Sequence, residues 1–181
     1  PVPPLSSIRP GRRAPRVRSG PSLLPKFHVP LSAYVVDCAV YVDGVRLPGR
    51  FTHDRALAEA RSRDDAFVWI GLHEPAEEQI TGIAEVFGLH ELAVEDAVHA
   101  HQRPKLEHYP DHAFIVAYTA ERKEVDIFIG PTWLVTIRED DAVGEPSFVD
   151  SARKRFDRTR SDHATVGFLL YVILDELVDG F

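Results

Sequence analysis

The stretch Gly88–Lys105 reads GLHELAVEDAVHAHQRPK and holds more specific chemistry than any other part of the chain. A glycine opens it, and a short amphipathic pattern, an acid pair, three histidines and an Arg-Pro-Lys corner follow. Glycine is the usual left-handed end of a helix, so we predict that Gly88 separates two helices. The second helix carries Glu95 and Asp96 on its more polar side. Its predicted buried stripe is Leu89, Leu92, Ala93 and Ala97.

The residues before this stretch predict two strand regions and two helices. The strand regions are Tyr34–Val45, with a hairpin turn at Asp43-Gly44, and the apolar run Ala66–Leu72, which suits a strand buried on both faces. The helices run from a cap at Thr52 or Asp54 to Ala60, and from His73-Glu74-Pro75 to Phe87.

The residues after Arg103-Pro104 predict four successive strands and then two helices. The strands are Leu106–Tyr109, His112–Ala120, Val125–Ile129 and Trp133–Ile137. Their links are short enough for hairpins, so this part of the sheet is predicted to be antiparallel. The helices run from Glu145-Pro146 to about Arg158, and from a cap at Asp162 towards Phe181.

The charge of the chain is unevenly distributed. Residues 1–26 hold six of the 21 basic residues and none of the 28 acidic residues, so the remainder is strongly acidic. Such a field repels nucleic acid and concentrates cations, which makes metal ions the favoured partner class. Cys38 is the single cysteine, which excludes an intrachain disulfide and a cysteine-built zinc site. The apolar run Val166–Leu174 is too short for a membrane span, which needs about 20 residues.

Residues 1–32 contain eight of the 14 prolines and predict a flexible Pro/Arg-rich tail. The arginines could contact nucleic acid or lipid headgroups. A solubilising leader is favoured instead, because no aromatic residue interrupts the basic run as a base-stacking surface requires. Residues 33–181 are long enough to form one domain around one core.

Two acidic groups are candidate metal ligands. Glu95 and Asp96 are adjacent and point about 100° apart on a helix, so they suit an ion shared across an interface better than chelation from one face. Asp175 and Asp179 share a helical face, with Glu176 beside them. Carboxylate oxygens suit a hard cation such as Mg²⁺ or Ca²⁺. Solvated helix surfaces show the same patterns, so both interpretations stay open at this point.

The histidines offer a competing interpretation. His99 with His101, or His108 with His112, could be drawn as zinc ligands. No His-Glu-x-x-His sequence occurs, and His108 and His112 flank a Pro-Asp turn, so surface or hydrogen-bonding roles are favoured. Phosphate-binding glycine loops and the serine and cysteine nucleophile signatures are also absent from the sequence.

The order of these segments resembles the CorA family of magnesium channels. The resemblance extends over residues 66–181 and is carried by several short blocks. They are Trp69, Phe87-Gly88-Leu89-His90, Leu92 to Asp96, His101 to Glu107, Phe114-Ile115-Val116, Leu169-Leu170-Tyr171, Leu174-Asp175 and Leu177-Val178-Asp179.

The resemblance implies a fold and a function. The implied fold is an αβα sandwich with a mixed parallel and antiparallel sheet, at the cytoplasmic face of the inner membrane. This domain would end before a stalk helix and two membrane helices, so contact with the membrane would come only through that missing part. The family forms pentamers, although this domain alone is expected to be monomeric. Mg²⁺ bound between subunits holds the channel closed, and cobalt or nickel are further candidate ions.

By position, Glu95, Asp96 and Asp175 match acids of that inter-subunit metal site. The resemblance therefore implies a magnesium-sensing domain and not an enzyme. Three alternatives remain: a zinc-transporting relative of the same architecture, a metal-dependent hydrolase built on Glu95, Asp96 and a histidine, and a stand-alone soluble binding module.

Overall fold

The computed structural model describes residues 35–138, 148–158 and 164–179. The elements in chain order are β1 (Val35–Val42), β2 (Val45–Arg46), α1 (His53–Arg61), β3 (Ala66–His73), α2 (Glu77–Phe87), α3 (Glu91–His99), β4 (Lys105–His108), β5 (Ala113–Tyr118), β6 (Glu124–Ile129), β7 (Trp133–Arg138), α4 (Phe148–Phe156) and α5 (Val166–Asp179). The predicted tail at residues 1–32, the helix start at Glu145-Pro146 and the cap at Asp162 lie outside the described residues.

One seven-stranded sheet forms the middle layer, in the order β2-β1-β3-β7-β6-β5-β4. β3 pairs with β7 in parallel, and the other neighbouring strands pair antiparallel. The prediction of a mixed sheet is therefore confirmed. β3 is buried along nearly its whole length, as its continuous apolar sequence predicts for a strand covered on both faces.

Helices cover both faces of this sheet, and alternate residues of β3 show which layer lies on which face. Val68 and Ile70 pack in a core with α1, α2 and α3. Phe67 and Trp69 pack in a second core with α4 and α5. Side chains alternate across a strand, so the two cores lie on opposite faces. The predicted αβα sandwich is confirmed.

Two turns follow their sequence signals. Asp43 and Gly44 both have positive φ, 50° and 72°, which suits the tight hairpin between β1 and β2. Gly88 ends α2 with φ 70°, and its backbone N–H donates to the carbonyl oxygen of Ala84. Glycine at this position closes α2 so that α3 can start three residues later on the same face of the sheet.

Two helix starts differ from prediction. His73-Glu74-Pro75 does not open α2, because His73 still pairs with Arg138 in the sheet and Glu74 turns the chain with φ 45°. The helix begins at Glu77. At α5, the Oγ1 of Thr165 accepts a hydrogen bond from the N–H of Phe168 at 3.1 Å. Thr165 therefore caps α5, which begins at Val166.

Candidate functional site

Helix α3 places the predicted acid pair on the outside of the molecule. Ala93 and Ala97 are its buried residues, and they fix which side of the helix faces the sheet. Leu92 lies about 100° round the helix from Ala93, so the prediction that it is buried is wrong: its side chain is 55% exposed. Leu92 instead lies beside Glu95 and Asp96, three and four residues further along.

This outer side of α3 and strand β4 enclose a surface depression of about 530 Å³. Its lining residues come from two elements and the residue after β4. They are Leu92, Glu95, Asp96, Glu107, His108 and Tyr109. Three of the six are carboxylates, and Glu95 is exposed to solvent. The depression therefore offers carboxylate oxygens to a cation approaching from outside.

Lys105 holds two of these carboxylates. Its Nζ lies 2.5 Å from Oδ2 of Asp96 and 3.0 Å from Oε1 of Glu107. Burial opposes the charged ammonium, but the hydrogen bonds from Lys105 to the two carboxylates prevail, and the pKa of Lys105 is raised. Hydrogen bonds from Lys105 and from the Tyr109 hydroxyl lower the pKa of Glu107. Two of the three carboxylates that line the depression are therefore already paired with a cationic side chain of the same chain.

A buried carboxylate fixes the segment that joins α3 to β4. Glu124 is 7% exposed and accepts hydrogen bonds from the N–H of Gln102 at 3.1 Å and from the Tyr118 hydroxyl at 2.7 Å. Ala100 and His101 have positive φ, which ends α3 and turns the chain towards β4. Sequence reasoning missed Glu124 by placing it in a turn. Its contacts fix Gln102, three residues before Lys105.

Asp175 lies on the other outer layer and is also paired. Nη2 of Arg155, from α4, lies 2.5 Å from Oδ2 of Asp175, and Nη1 lies 3.3 Å from Oε1 of Glu176. Hydrogen bonds to these two carboxylates raise the pKa of Arg155. Sequence reasoning did not single out Arg155. The available signal was the basic last turn of α4 followed by the acidic end of α5.

The structure does not bring the three predicted metal ligands together within one chain. Glu95 and Asp96 belong to the layer of α1–α3, and Asp175 belongs to the layer of α4 and α5, with the sheet between them. Among residues 35–138, 148–158 and 164–179, no group of three or more His, Cys, Asp or Glu side chains is arranged to hold a metal ion. Neither acid set by itself forms such a group in the described residues.

Several histidines have contacts inside the chain. Tyr109 stacks between the rings of His90 and His112, with centroid distances of 4.3 and 5.0 Å. The backbone N–H of His90 donates to Nε2 of His112 at 3.4 Å. Burial, followed by the nearby charge of His90, lowers the pKa of His112. These contacts favour structural roles for His90 and His112 over zinc binding.

His99, on α3, also has a contact within the chain. Its Nδ1 lies 2.8 Å from the carbonyl oxygen of Glu95, one turn earlier in the helix. His108 and His112 do not meet as a ligand pair, since His108 is exposed and His112 is buried beneath Tyr109. His99, His101 and His108 are exposed, but neither proposed zinc pair forms part of a three-ligand group in the described residues.

Comparison with known sequences gives consistent matches. The sequence model of the family described as CorA-like Mg²⁺ transporter protein matches residues 64–181. The Bacillus subtilis protein YfjQ is 31% identical over 123 residues, which are 65% of this chain and 38% of that protein. The cobalt/magnesium transport protein CorA of Thermotoga maritima is 27% identical over 125 residues, 62% of this chain and 34% of its own length. The chain thus spans little more than a third of these relatives.

Comparison with solved structures supports the fold. The full-length CmaX protein superposes with a TM-score of 0.66 at 13% identity, over 81% of this chain and 46% of that one. The soluble domain of CorA from Methanocaldococcus jannaschii superposes with a TM-score of 0.50 at 20% identity, over 80% of this chain and 56% of that one. In the described part of the chain, every helix is too short or too polar to cross a membrane.

Proposed function

The chain belongs to the CorA-like Mg²⁺ transporter family, whose sequence model matches well over half of its length, and we propose that it is the cytoplasmic metal-sensing domain of a divalent-cation channel. In this proposal Mg²⁺ lies between neighbouring copies, held by Glu95 and Asp96 of one copy and Asp175 of the next. Occupancy favours the closed channel, and loss of the ion lets the copies separate. The membrane-crossing part is assigned to sequence outside these 181 residues.

One observation carries the proposal: the candidate ligands lie on opposite outer layers of the sandwich. When one face of a copy contacts the opposite face of the next, the contact is heterologous, and repetition closes a ring if the rotation allows it. Two half-sites on opposite layers suit such a contact. The geometry is therefore compatible with a cyclic assembly such as the pentamer that the resemblance implies.

The chemistry of Mg²⁺ also suits divergent acids. Mg²⁺ prefers octahedral coordination and keeps several of its waters, so carboxylates at an interface can bind it directly or through those waters. An empty site would place like charges opposite each other, and a divalent ion would bridge them. The same oxygen ligands could accept cobalt or nickel with a different affinity.

The metal-dependent hydrolase is the alternative from another class. Glu95, Asp96 and His108 do line one depression, as that alternative requires. However, among the described residues no group of three or more His, Cys, Asp or Glu side chains is arranged to hold a metal ion within one copy, as a hydrolase centre would require. A site completed by a neighbouring copy does not need such a group, which favours a binding role for the depression.

Self-association of the chain tests the proposal. The chain on its own is expected to be monomeric, and in this proposal Mg²⁺ bridges the copies, so sedimentation velocity at high protein concentration should show larger species as Mg²⁺ is added, and a chelator should reverse the change. Asp96→Asn and Asp175→Asn should each prevent it, whereas Glu121→Gln, which removes an exposed carboxylate remote from both half-sites, should not. No Mg²⁺ response in the wild-type chain would contradict the proposal. A response to Zn²⁺ alone, lost when His99 and His101 are replaced, would favour the zinc-transporting alternative.

Mixing the two variants sharpens this test. A copy with Asp96→Asn keeps an intact Asp175 face, and a copy with Asp175→Asn keeps an intact Asp96 face. The mixture should therefore form heterodimers in Mg²⁺ but no larger species, because each heterodimer has only one complete site. Larger species in the mixture, or none, would show that the two acids do not share one heterologous contact.

A further inference from the structure

We propose that Lys105 and Arg155 are tethered competitors of the divalent cation, each occupying one half of the site when the metal is absent and withdrawing when it binds. The inference rests on the proposed function, because it concerns the regulation of the same acids. It assigns a role to two basic residues that neither composition nor the acid pattern singles out.

The first half-site contains the contact on which the competition acts. The Nζ of Lys105 contacts Oδ2 of Asp96 at 2.5 Å, so one of the two carboxylate oxygens that a cation could use already has a cationic partner. Lys105 comes from strand β4, whose pairing with β5 holds its backbone in register opposite Val116. The ammonium therefore cannot move far from Asp96 by a backbone shift, and it leaves only by rotation of its side chain.

The second half-site repeats the arrangement with a different base. Nη2 of Arg155 contacts Oδ2 of Asp175 at 2.5 Å. The guanidinium comes from the last turn of α4 and meets α5 across the packing of those two helices. Asp96 and Asp175 each match an acid of the family's site by position. Each of them forms an ion pair with a base of its own chain.

Each base also has a second carboxylate to which it can withdraw. Lys105 contacts Glu107 at 3.0 Å and lies 5.5 Å from the centroid of the Phe114 ring. Arg155 contacts Glu176 at 3.3 Å. When a metal takes Asp96 or Asp175, the base keeps one ion pair instead of being left unpaired. This second partner lowers the cost of displacement and makes the exchange reversible.

The physical consequence is a threshold for metal binding. A divalent ion gains attraction to the carboxylate but must first break a contact of ordinary ion-pair strength. The two bases therefore raise the metal concentration at which the site fills. They also lessen repulsion between the carboxylates of each half-site when the metal is absent.

Titration of the two half-sites tests the inference. Backbone amide signals of Asp96 and Asp175 are followed by nuclear magnetic resonance as Mg²⁺ is added to the full 181-residue chain. Lys105→Gln should lower the half-saturation concentration at Asp96 by about fivefold, the change that corresponds to one surface-strength ion pair. Arg155→Gln should lower it at Asp175 in the same sense. Lys105→Arg, which keeps the charge, should stay near the wild-type value.

Matched controls separate local competition from overall charge. Lys123→Gln removes a base that pairs with Glu121 at 3.0 Å, and Arg63→Gln removes one that pairs with Glu59 at 2.9 Å. Both make the same charge change away from the half-sites, so they should leave the two half-saturation concentrations unchanged. Equal effects of the controls and of Lys105→Gln would overturn the inference.

Withdrawal itself has a direct readout in the lysine side chain. With ¹³C-labelled lysine, the Cε signal of Lys105 should shift on Mg²⁺ addition in the wild type and stay fixed in Asp96→Asn. A fixed signal in the wild type, unchanged half-saturation in Lys105→Gln and Arg155→Gln, or no Mg²⁺ response in any of these proteins would each overturn the inference. Tighter Mg²⁺ binding by Lys105→Gln without self-association would sustain it and contradict the proposed bridging between copies.

Discussion

The Lys105–Asp96 pair and the Arg155–Asp175 pair have the same chemistry in different surroundings. The side chain of Lys105 is 25% exposed, and that of Arg155 is 42% exposed. Lys105 belongs to a strand anchored in the sheet, whereas Arg155 and Asp175 both belong to helices laid over it. In the Asp96 half-site the base is therefore held by the sheet. In the Asp175 half-site both partners depend on how α4 packs against α5.

This difference shows where the domain can adjust. A strand keeps its register through its hydrogen-bonded neighbour, so the distance between β4 and β5 is constant. Two packed helices can slide slightly while keeping their apolar contacts. We expect metal-linked movement, where it occurs, to involve the α4–α5 layer more than the α1–α3 layer.

The largest expected effect tests whether the α4–α5 layer depends on its core. Phe156 is fully buried, and its ring packs edge-on against those of Tyr41 and Phe67. Phe156→Ala should lower the free energy of unfolding by about 3–5 kcal/mol, because it leaves a cavity between α4 and the sheet. Chemical denaturation measures the loss. Tyr171→Ala, at an exposed aromatic on α5, should change stability by less than about 0.5 kcal/mol.

The loss of stability in Phe156→Ala should also appear as weaker protection of backbone amides against hydrogen exchange, and only in the α4–α5 layer. Hydrogen exchange in Phe156→Ala should speed up in α4 and α5 and leave α1, α2 and α3 nearly unchanged. If exchange instead increased equally in both layers, the two halves of the sandwich would be one cooperative unit, and the contrast between an anchored and an adjustable half-site would not hold.

A smaller effect on the free energy of unfolding is expected when Lys105 or Arg155 is replaced. Lys105→Gln should lower the free energy of unfolding by up to about 1 kcal/mol, since Lys105 bridges two partly exposed carboxylates. Arg155→Gln should cost less, because its guanidinium is more exposed and solvent screens it more strongly. Thermal denaturation at low and high salt checks this order, and the difference should shrink as salt is added. A larger loss for Arg155→Gln would reverse the comparison.

The smallest effect concerns pH and the α1–α3 layer. The pKa of His112 is lowered, chiefly by burial, so the folded state binds a proton less readily than the unfolded state. The contribution of the neutral His112 ring to the free energy of unfolding is complete above the ordinary histidine pKa of about 6.5. It declines as the pH falls below that value. Denaturation midpoints measured from neutral to mildly acidic pH should show this decline. His112→Gln should flatten it, and an unchanged slope would show that another group is responsible.

Local signals predicted much of the fold. Asp43-Gly44 and Gly88 need positive φ, and the continuous apolar sequence of β3 needs cover on both faces, so each could be identified from a few neighbouring residues. Leu92 was misplaced because its helix has apolar residues on more than one side, and only packing shows that Ala93 and Ala97 face the sheet.

The candidate site was less predictable, because its contacts join distant parts of the chain. Glu95, Asp96 and Asp175 could be chosen by resemblance, but their placement on opposite layers follows from the topology. The partners Lys105 and Arg155 depend on the register of β4 and on the packing of α4 against α5. A buried carboxylate such as Glu124 gives no sequence signal unless its hydrogen-bond donors are known.

The parallel pairing of β3 with β7 has a consequence for how the chain folds. Residues 35–73 and 105–138 each contain strands paired with neighbours in sequence, while the β3–β7 contact joins Val68 to the distant Trp133. Closing so long a loop costs entropy before the contact contributes, so we expect two early blocks and a slow joining step. Pulse-labelled exchange during refolding should protect β5 and β6 before the β3–β7 seam. Both cores take residues from β3 and from β7, so the surfaces that carry Asp96 and Asp175 would be completed only after the seam has formed.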